Sequence, residues 1–183
     1  MTFKISDFRT ALGSGSRPNL FQIKVTLPNS YAVTGFEYVC RAASLPSATV
    51  GLIEIATAGG RKLKMGGDRQ FPEWTTTVLN DENFIIRSRF EKWQNDIVKT
   101  NYNLTAIGQR TVGVGTLLTG VVEIYQLDVD GKSVKNGECK LINCWPSDIS
   151  SIDLSYDTTD AVEEFTITWA YDYYILSSNA VLS

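Results

Sequence analysis

Alternation of apolar and polar residues dominates this chain and predicts a mainly β protein. The longest alternating segment is Glu163 to Leu176, whose apolar or aromatic side chains share one face: Phe165, Ile167, Trp169, Tyr171, Tyr173 and Ile175. Shorter segments with this period or with strand-forming composition are Asn19 to Leu27, Phe36 to Ala42, Glu73 to Leu79, Val121 to Asp130, Cys139 to Trp145 and Ile149 to Tyr156. Because successive side chains on a strand point to opposite faces, the chain is predicted to contain about eight strands.

A single segment, about residues 82–98, has helical periodicity instead. Its apolar residues recur at intervals of four, three and four positions: Ile86, Phe90, Trp93 and Ile97. This spacing places the four side chains on one face of a helix. Asn80 or Asp81 is expected to cap the first turn, so only these two residues separate the helix from the preceding strand. The predicted fold is a β-sandwich or barrel-like subunit with one flanking α-helix.

Glycine pairs predict a projecting hairpin at about residues 50–66. Its strands are Val50 to Ala58 and Arg61 to Met65, joined by a turn at Gly59-Gly60. Its second strand is basic, because it contains Arg61, Lys62 and Lys64. Such a strand does not suit a core, so we expect the hairpin to project and to contact a partner.

A second glycine turn is predicted at Gly66-Gly67. The following residues, Asp68 and Arg69, either belong to a turn fixed by the Asp side chain or make an ionic contact across a subunit boundary. The contact candidates are therefore Arg61, Lys62, Lys64, Asp68 and Arg69.

Two further segments suggest contacts with neighbours. Residues 1–18 form an N-terminal arm, in which Ile5, Phe8 and Leu12 have roughly helical spacing. The arm either packs as a terminal turn or docks on a neighbouring subunit. Residues 99–120 are predicted to be a long loop, because they lack periodicity and contain several glycines.

Length and composition indicate one domain covering residues 1–183. Hydrophobic residues make up 43% of the chain, which is enough for a core without disulfides or metals. The net charge of −3 argues against a protein that grips nucleic acid by neutralising phosphates. No apolar run reaches the length of a membrane span, and the first residues lack the apolar core of a secretory signal. The odd number of cysteines (Cys40, Cys139 and Cys144) indicates small buried or half-buried side chains.

Candidate catalytic and metal sites are absent from the sequence. With no histidine, the chain has neither a Ser-His-Asp triad nor a His-containing zinc site. Asp128 and Asp130 resemble the start of a calcium loop, but the third ligand and the distal Glu are missing. Glu163 and Glu164 are adjacent on a strand and point apart, so they do not form a glycosidase pair. We predict no enzyme activity, no cofactor and no metal.

An ordered set of short motifs is similar to one protein family. These motifs are Arg17 to Phe21, Ala43 to Pro46, Gly67 to Arg69 with Phe71 and Trp74, Asn80 to Glu82 before a helix with Phe90, Trp93 and Gln94, and Trp145-Pro146 before the long final strand. Together they resemble the tail tube proteins of contractile-tailed bacteriophages, which are related to the tubes of type VI secretion and bacteriocins. The resemblance runs from about Arg17 to Ile175, with residues 99–120 matching least.

The resemblance implies a structural virion protein of a contractile phage tail. Six subunits would form a ring whose inner sheets join into one continuous β-barrel, and stacked rings would form a conduit for DNA ejection. Implied partners are other copies of the chain, the sheath, the tape measure protein, and the baseplate and terminator proteins, while DNA passes without specific binding and no membrane is involved. The protein would be made in the host cytoplasm and reside in the virion. Alternatives are a baseplate initiator or capping paralogue, the tube of a phage-like injection system, and a lytic or sugar-cleaving tail component.

Overall fold

The fold is defined by a computed structural model that describes residues 4–13, 15–27, 35–99, 104–105, 119–157 and 159–177. The helices in this part of the chain are α1 (Ile5–Leu12), α2 (Phe36–Val39) and α3 (Ile85–Ile97). The strands are β1 (Phe21–Thr26), β2 (Cys40–Ala43), β3 (Thr49–Ala56), β4 (Lys62–Gln70), β5 (Trp74–Leu79), β6 (Val98–Lys99), β7 (Leu104–Thr105), β8 (Gly120–Leu127), β9 (Ser133–Ile149), β10 (Glu164–Ala170) and β11 (Tyr173–Leu176). The prediction of a mainly β protein is confirmed.

Two antiparallel sheets form the body of the subunit, and strand β9 belongs to both. The first sheet contains β1, β8, the N-terminal half of β9, and β11. The second sheet contains β2, β5, β10 and the C-terminal end of β9. Two small sheets are not hydrogen-bonded to this body, a hairpin of β3 with β4 and a short pair of β6 with β7.

The chain passes between the sheets at a corner built from Asn143 and Asp172. Asn143 has φ 56°, a left-handed conformation that interrupts the regular alternation of β9. Its side-chain amide donates to Asp172 Oδ2 at 2.7 Å, and Asp172 lies between β10 and β11. At this corner β9 passes from the first sheet to the second, and the chain passes back from β10 in the second sheet to β11 in the first.

This corner corrects two predictions. The predicted strand Glu163 to Leu176 is divided into β10 and β11, while the segments predicted at 139–145 and 149–156 are replaced by one strand that ends at Ile149. Pro146 does not interrupt β9, because the register with β10 shifts beside it and relieves the missing donor. Cys139 and Cys144 would face opposite ways on a regular strand, but the corner places both in the core.

Replacing Asn143 with Val should destabilise the subunit by roughly 1–3 kcal/mol, because a β-branched residue is strained at this positive φ. Urea denaturation followed by tryptophan fluorescence measures the free energy of unfolding. Asn143→Gly is the matched control, since glycine adopts this conformation without strain but also lacks the amide. If the free energy of unfolding falls equally in the two variants, the lost hydrogen bond to Asp172, rather than the backbone conformation, accounts for the destabilisation.

The core lies between the inner faces of the two sheets and is closed by α3. Its largest fully buried side chains include Trp93, Trp169, Phe36, Phe90 and Phe165. Trp169 stands at the centre, with ring centroids 5.6 Å from Phe90 and 6.2 Å from Trp93. Aromatic packing between a strand and a helix therefore attaches α3 to the sheets.

Helix α3 confirms the predicted flanking helix, with shifted bounds. Ile86, Phe90 and Trp93 are buried, and Ile97 packs against the same core. The carboxylate of Asp81 accepts hydrogen bonds from the backbone N–H groups of Ile85 and Ile86, so Asp81 caps the helix as predicted. The helix begins at Ile85, however, so the linker after β5 is longer than the Asn80-Asp81 pair that the sequence suggested.

The other helices were not predicted as such. The predicted strand at 36–42 is a one-turn helix, α2, followed by β2, because Gly35 enters it with φ 89° and Phe36 is drawn into the core. The helical spacing in the N-terminal arm is confirmed by α1, which has no buried residue. Most of the predicted loop 99–120 lies outside the described residues.

Candidate functional site

The hairpin of β3 and β4 is the most exposed pair of strands for which the structure describes side-chain burial. It covers Thr49–Gln70, and every strand residue except Gly67 is exposed. Neither strand pairs with any other described strand. At about 3.3 Å per residue, its strands extend for roughly 26 Å. The paired strands extend beyond the predicted bounds of residues 50–66.

A close approach of the two strands explains why the second glycine pair is not a turn. Gly66 and Gly67 lie within β4, and the pairing shifts register at Gly51. A Cβ on Gly67 would lie 3.2 Å from the carbonyl carbon of Gly51, tighter than ordinary van der Waals contact. The glycines therefore permit the strands to pass closely, and the turn predicted at Gly66-Gly67 is wrong.

One face of the hairpin is apolar. The register pairs Ile53 with Met65 and Ile55 with Leu63, and directly paired residues share a face. Their side chains are 51%, 49%, 46% and 54% exposed, respectively. An isolated two-stranded hairpin is at best marginally stable in water, so this face is suited to burial against a partner.

The opposite face carries two of the cations predicted from the sequence. Lys62 pairs with Glu54 through a contact of 2.5 Å, and Lys64 lies directly opposite Glu54. Both partners of this ion pair are solvent-accessible, so the pair adds at most about 1 kcal/mol to stability. Glu54 thus neutralises part of the positive charge, while Arg61 lies just after the Gly59-Gly60 turn.

All five predicted contact residues lie on this one hairpin. Arg61, Lys62 and Lys64 lie near its tip, whereas Asp68 and Arg69 lie in β4 at its base. The apolar face was not predicted from the sequence, where the second strand of the hairpin was interpreted only as basic. The available signal was the alternation of Leu63 and Met65 with Lys62 and Lys64, which separates the two faces of one strand.

The solvent face of the first sheet places a carboxylate between two lysines. Lys24, Glu123 and Lys140 lie side by side on β1, β8 and β9. The Lys140 ammonium lies 2.7 Å from Glu123 Oε1, and this hydrogen bond is the main reason why the pKa of Glu123 is lowered. The Tyr125 hydroxyl also donates to Glu123, at 2.9 Å; burial first, and then this carboxylate, raise the pKa of Tyr125 to about 12.

The solvent face of the second sheet is largely uncharged. Thr166 lies opposite Thr77, and Thr168 lies opposite Thr75, forming a row of paired hydroxyl residues. Arg41 and Glu164 form an ion pair at the edge of this sheet. Neither sheet therefore presents an uncompensated row of cations among the described residues.

The cysteines and the suspected calcium loop have structural roles. Cys139 and Cys144 are buried and Cys40 is half-buried, as predicted, and all three are free thiols. Burial raises the pKa of Cys144 to about 12 and those of Cys139 and Cys40 to about 11. Asp128 is part of the turn between β8 and β9, where its carbonyl accepts from the Gly131 N–H at 2.9 Å. Within the described ranges, no group of His, Cys, Asp or Glu has the arrangement of a metal site.

No helix in the described part of the chain is long and apolar enough to cross a membrane.

The family model described as phage tail tube protein matches residues 16–177 of this chain. A curated relative, tail tube protein gp19 of Enterobacteria phage T4, is 30% identical over 172 residues, which are 93% of this chain and 98% of the relative. The chain belongs to the phage tail tube protein family. It is thus a structural tail tube protein, and the resemblance noted in the sequence is confirmed.

Solved structures share the fold at lower sequence identity. A chain of the anti-feeding prophage tube-terminating cap has a TM-score of 0.61 and 17% identity, covering 88% of this chain and 89% of that chain. A chain of the extended PVC sheath-tube complex, an extracellular contractile injection system, has a TM-score of 0.56 and 15% identity, covering 96% and 98%. These two chains therefore share the fold of the present tail tube family member.

Proposed function

We propose that this tail tube protein assembles into stacked hexameric rings whose inner sheets join into a continuous β-barrel, and that the resulting tube conducts DNA during ejection. The observation that carries this proposal is the long hairpin, which exposes an apolar face on a subunit that already has a complete core. A face of this kind suits self-association. The whole chain, residues 1–183, would act as one domain.

The charge pattern of the sheets supports a conduit that does not retain DNA. Fixed, clustered cations would bind phosphates strongly, with a marked dependence on salt. On the first sheet Glu123 lies between Lys24 and Lys140, and the second sheet presents threonines. Either face could line a channel through which a polyanion passes without specific binding.

The hairpin residues Arg61, Lys62, Lys64, Asp68 and Arg69 are our candidates for contacts between subunits or rings. The outside of the tube would bind the sheath, its ends would bind the baseplate and terminator proteins, and its interior would hold the tape measure protein before ejection. The similarity to a chain of a sheath-tube complex supports the first of these partners. The protein would be made in the host cytoplasm and then reside in the virion, without contacting a membrane.

Reversing the charges of Arg61, Lys62 and Lys64 to Glu should shorten the tubes, because the hairpin would change from net basic to acidic. Electron microscopy of tubes at several salt concentrations measures both length and salt sensitivity. The control is Lys132→Glu with Lys135→Glu, which reverses exposed charges on the β8–β9 hairpin. Unchanged tube length and salt sensitivity in the triple variant would contradict the assignment.

The assembly itself is tested by negative-stain electron microscopy and light scattering on the purified protein, with preformed tube ends added to a second sample. Hollow sixfold rings or tubes are the expected result. A monomer in both samples would contradict the proposal.

A baseplate initiator or capping role is the second candidate, because this fold also occurs in a tube-terminating cap. The number of stacked rings separates the two roles. A tube protein forms stacks of many rings, whereas an initiator or cap stops at one or two.

A further inference from the structure

A second exposed apolar surface lies in the connection between β9 and β10. Residues 151–156 and 161–164 line a groove of about 610 Å³. The lining includes Leu154, Tyr156 and Val162, whose exposures are 80%, 106% and 68%. These exposures are higher than those of the apolar side chains on the hairpin, so this groove is also suited to cover by a partner.

The same connection is strongly acidic. Ser150 to Phe165 contains five carboxylates, Asp153, Asp157, Asp160, Glu163 and Glu164, and no Lys or Arg. Glu164 pairs with Arg41, and Glu163 accepts a hydrogen bond from the Asn80 amide at 3.0 Å. The three aspartates form no ion pair with any described residue.

The hairpin is the chemical complement of this groove. Thr49–Gln70 contains four basic and two acidic residues, a net charge of +2, and its apolar face is Ile53, Ile55, Leu63 and Met65. Among the described residues, Arg61 and Lys64 have no ion-pair partner. Apolar side chains flanked by cations would thus meet apolar side chains flanked by carboxylates.

We propose that the hairpin of one copy of this chain docks into the acidic groove of a second copy. Both surfaces are exposed in the same subunit, so the hairpin does not fill the groove of its own chain. Donor and acceptor are different surfaces, which makes the interface heterologous. Each copy therefore offers one hairpin and one groove, and repetition of this contact closes a ring or extends a stack.

This inference rests on the proposed tube assembly and names the surface that the hairpin contacts there. Charge complementarity favours this groove over other exposed surfaces, since like charges placed together in an interface cost several kcal/mol.

Disulfide cross-linking between differently tagged chains tests the contact. One chain carries Ala58→Cys at the hairpin tip, and the other carries Ser155→Cys in the groove. Cys40, Cys139 and Cys144 contribute little background, because their raised thiol pKa values keep them protonated near pH 8. The expected result is a covalent heterodimer in assembled samples, and little cross-linking when Ala58→Cys is paired with Asn136→Cys on the β8–β9 hairpin.

A charge exchange provides a second measurement. Lys64→Glu and Asp157→Lys should each raise the protein concentration needed for assembly by about tenfold, and the two together should largely restore it, as in a double-mutant cycle. Circular dichroism confirms that each variant is folded.

The outcomes separate the two proposals. The docking contact would be overturned if the protein forms tubes but the Ala58→Cys and Ser155→Cys chains do not cross-link in them. A charge exchange that does not restore assembly would overturn it too. Either result would leave the tube function standing. Failure of the wild-type protein to form rings or tubes under any condition, including with preformed ends, would overturn both.

Discussion

Replacing Ile55 and Leu63 with Asp is expected to abolish assembly while leaving the subunit folded. These two residues face each other across the hairpin and are about half exposed, at 46% and 54%. Each apolar side chain contributes about 1.5–3 kcal/mol when it becomes fully buried, and an unpaired carboxylate at the same position opposes burial. Because this binding free energy is lost at every interface between subunits, few or no rings should remain in electron micrographs.

Val129→Asp is the matched control for the hairpin variant. Val129 is 56% exposed in the turn between β8 and β9, so the substitution adds the same charge to a comparable apolar residue elsewhere. We expect the control to assemble as wild type does. Normal tubes from the Ile55→Asp and Leu63→Asp variant would show that the apolar hairpin face is not an interface.

Replacing Trp169 with Ala should destabilise the subunit by about 3–5 kcal/mol, because it leaves a large cavity where the sheets meet α3. Trp169 is fully buried, and its indole N–H donates to the Thr76 hydroxyl at 2.9 Å. Much of a typical domain's stability of about 5–15 kcal/mol would be lost. Urea denaturation followed by circular dichroism measures the change without depending on the deleted fluorophore.

One further variant separates packing from hydrogen bonding at Trp169, and a second variant is a control at an exposed aromatic residue elsewhere. Thr76→Val removes the acceptor and leaves the indole N–H of Trp169 unpaired, which should cost about 1–3 kcal/mol. Tyr156→Ala removes a fully exposed aromatic residue and should change stability by less than about 0.5 kcal/mol. A Trp169→Ala effect no larger than that of Thr76→Val would contradict the central packing role of this side chain.

Local periodicity was sufficient to predict the elements in which the buried residues follow one regular period from end to end. In α3, Ile86, Phe90, Trp93 and Ile97 repeat with the period of a helix, and these four side chains pack on the core. Strand β1 likewise follows the alternation of Phe21, Ile23 and Val25. In these segments the burial pattern comes from the backbone geometry alone, so the sequence predicts both the element and its buried face.

Local periodicity was insufficient where distant segments determine the conformation. The break between β10 and β11 is invisible in an unbroken alternation, since it depends on Asn143 contacting Asp172 from another strand. Gly66 and Gly67 resemble a turn in isolation, yet they lie in a strand because Gly51 passes close to them.

The hairpin surface was also only partly predictable from the sequence. Charge identified the basic tip of the hairpin, because Arg61, Lys62 and Lys64 are close together in the chain. The apolar face joins Ile53 and Ile55 to Leu63 and Met65, and only the strand register shows that these four residues form one surface.

The β-rich class, the flanking helix, the pairing of two strands around Gly59-Gly60 and the tail tube family were predictable from the amino-acid sequence, because periodic apolar residues, turn glycines and ordered motifs are local properties of the chain. The tertiary structure alone decided where β9 and the final strand change sheets, which hairpin face is apolar, and that an acidic groove lies exposed between β9 and β10. These features arise from pairing and packing between residues far apart in sequence, which no local pattern records.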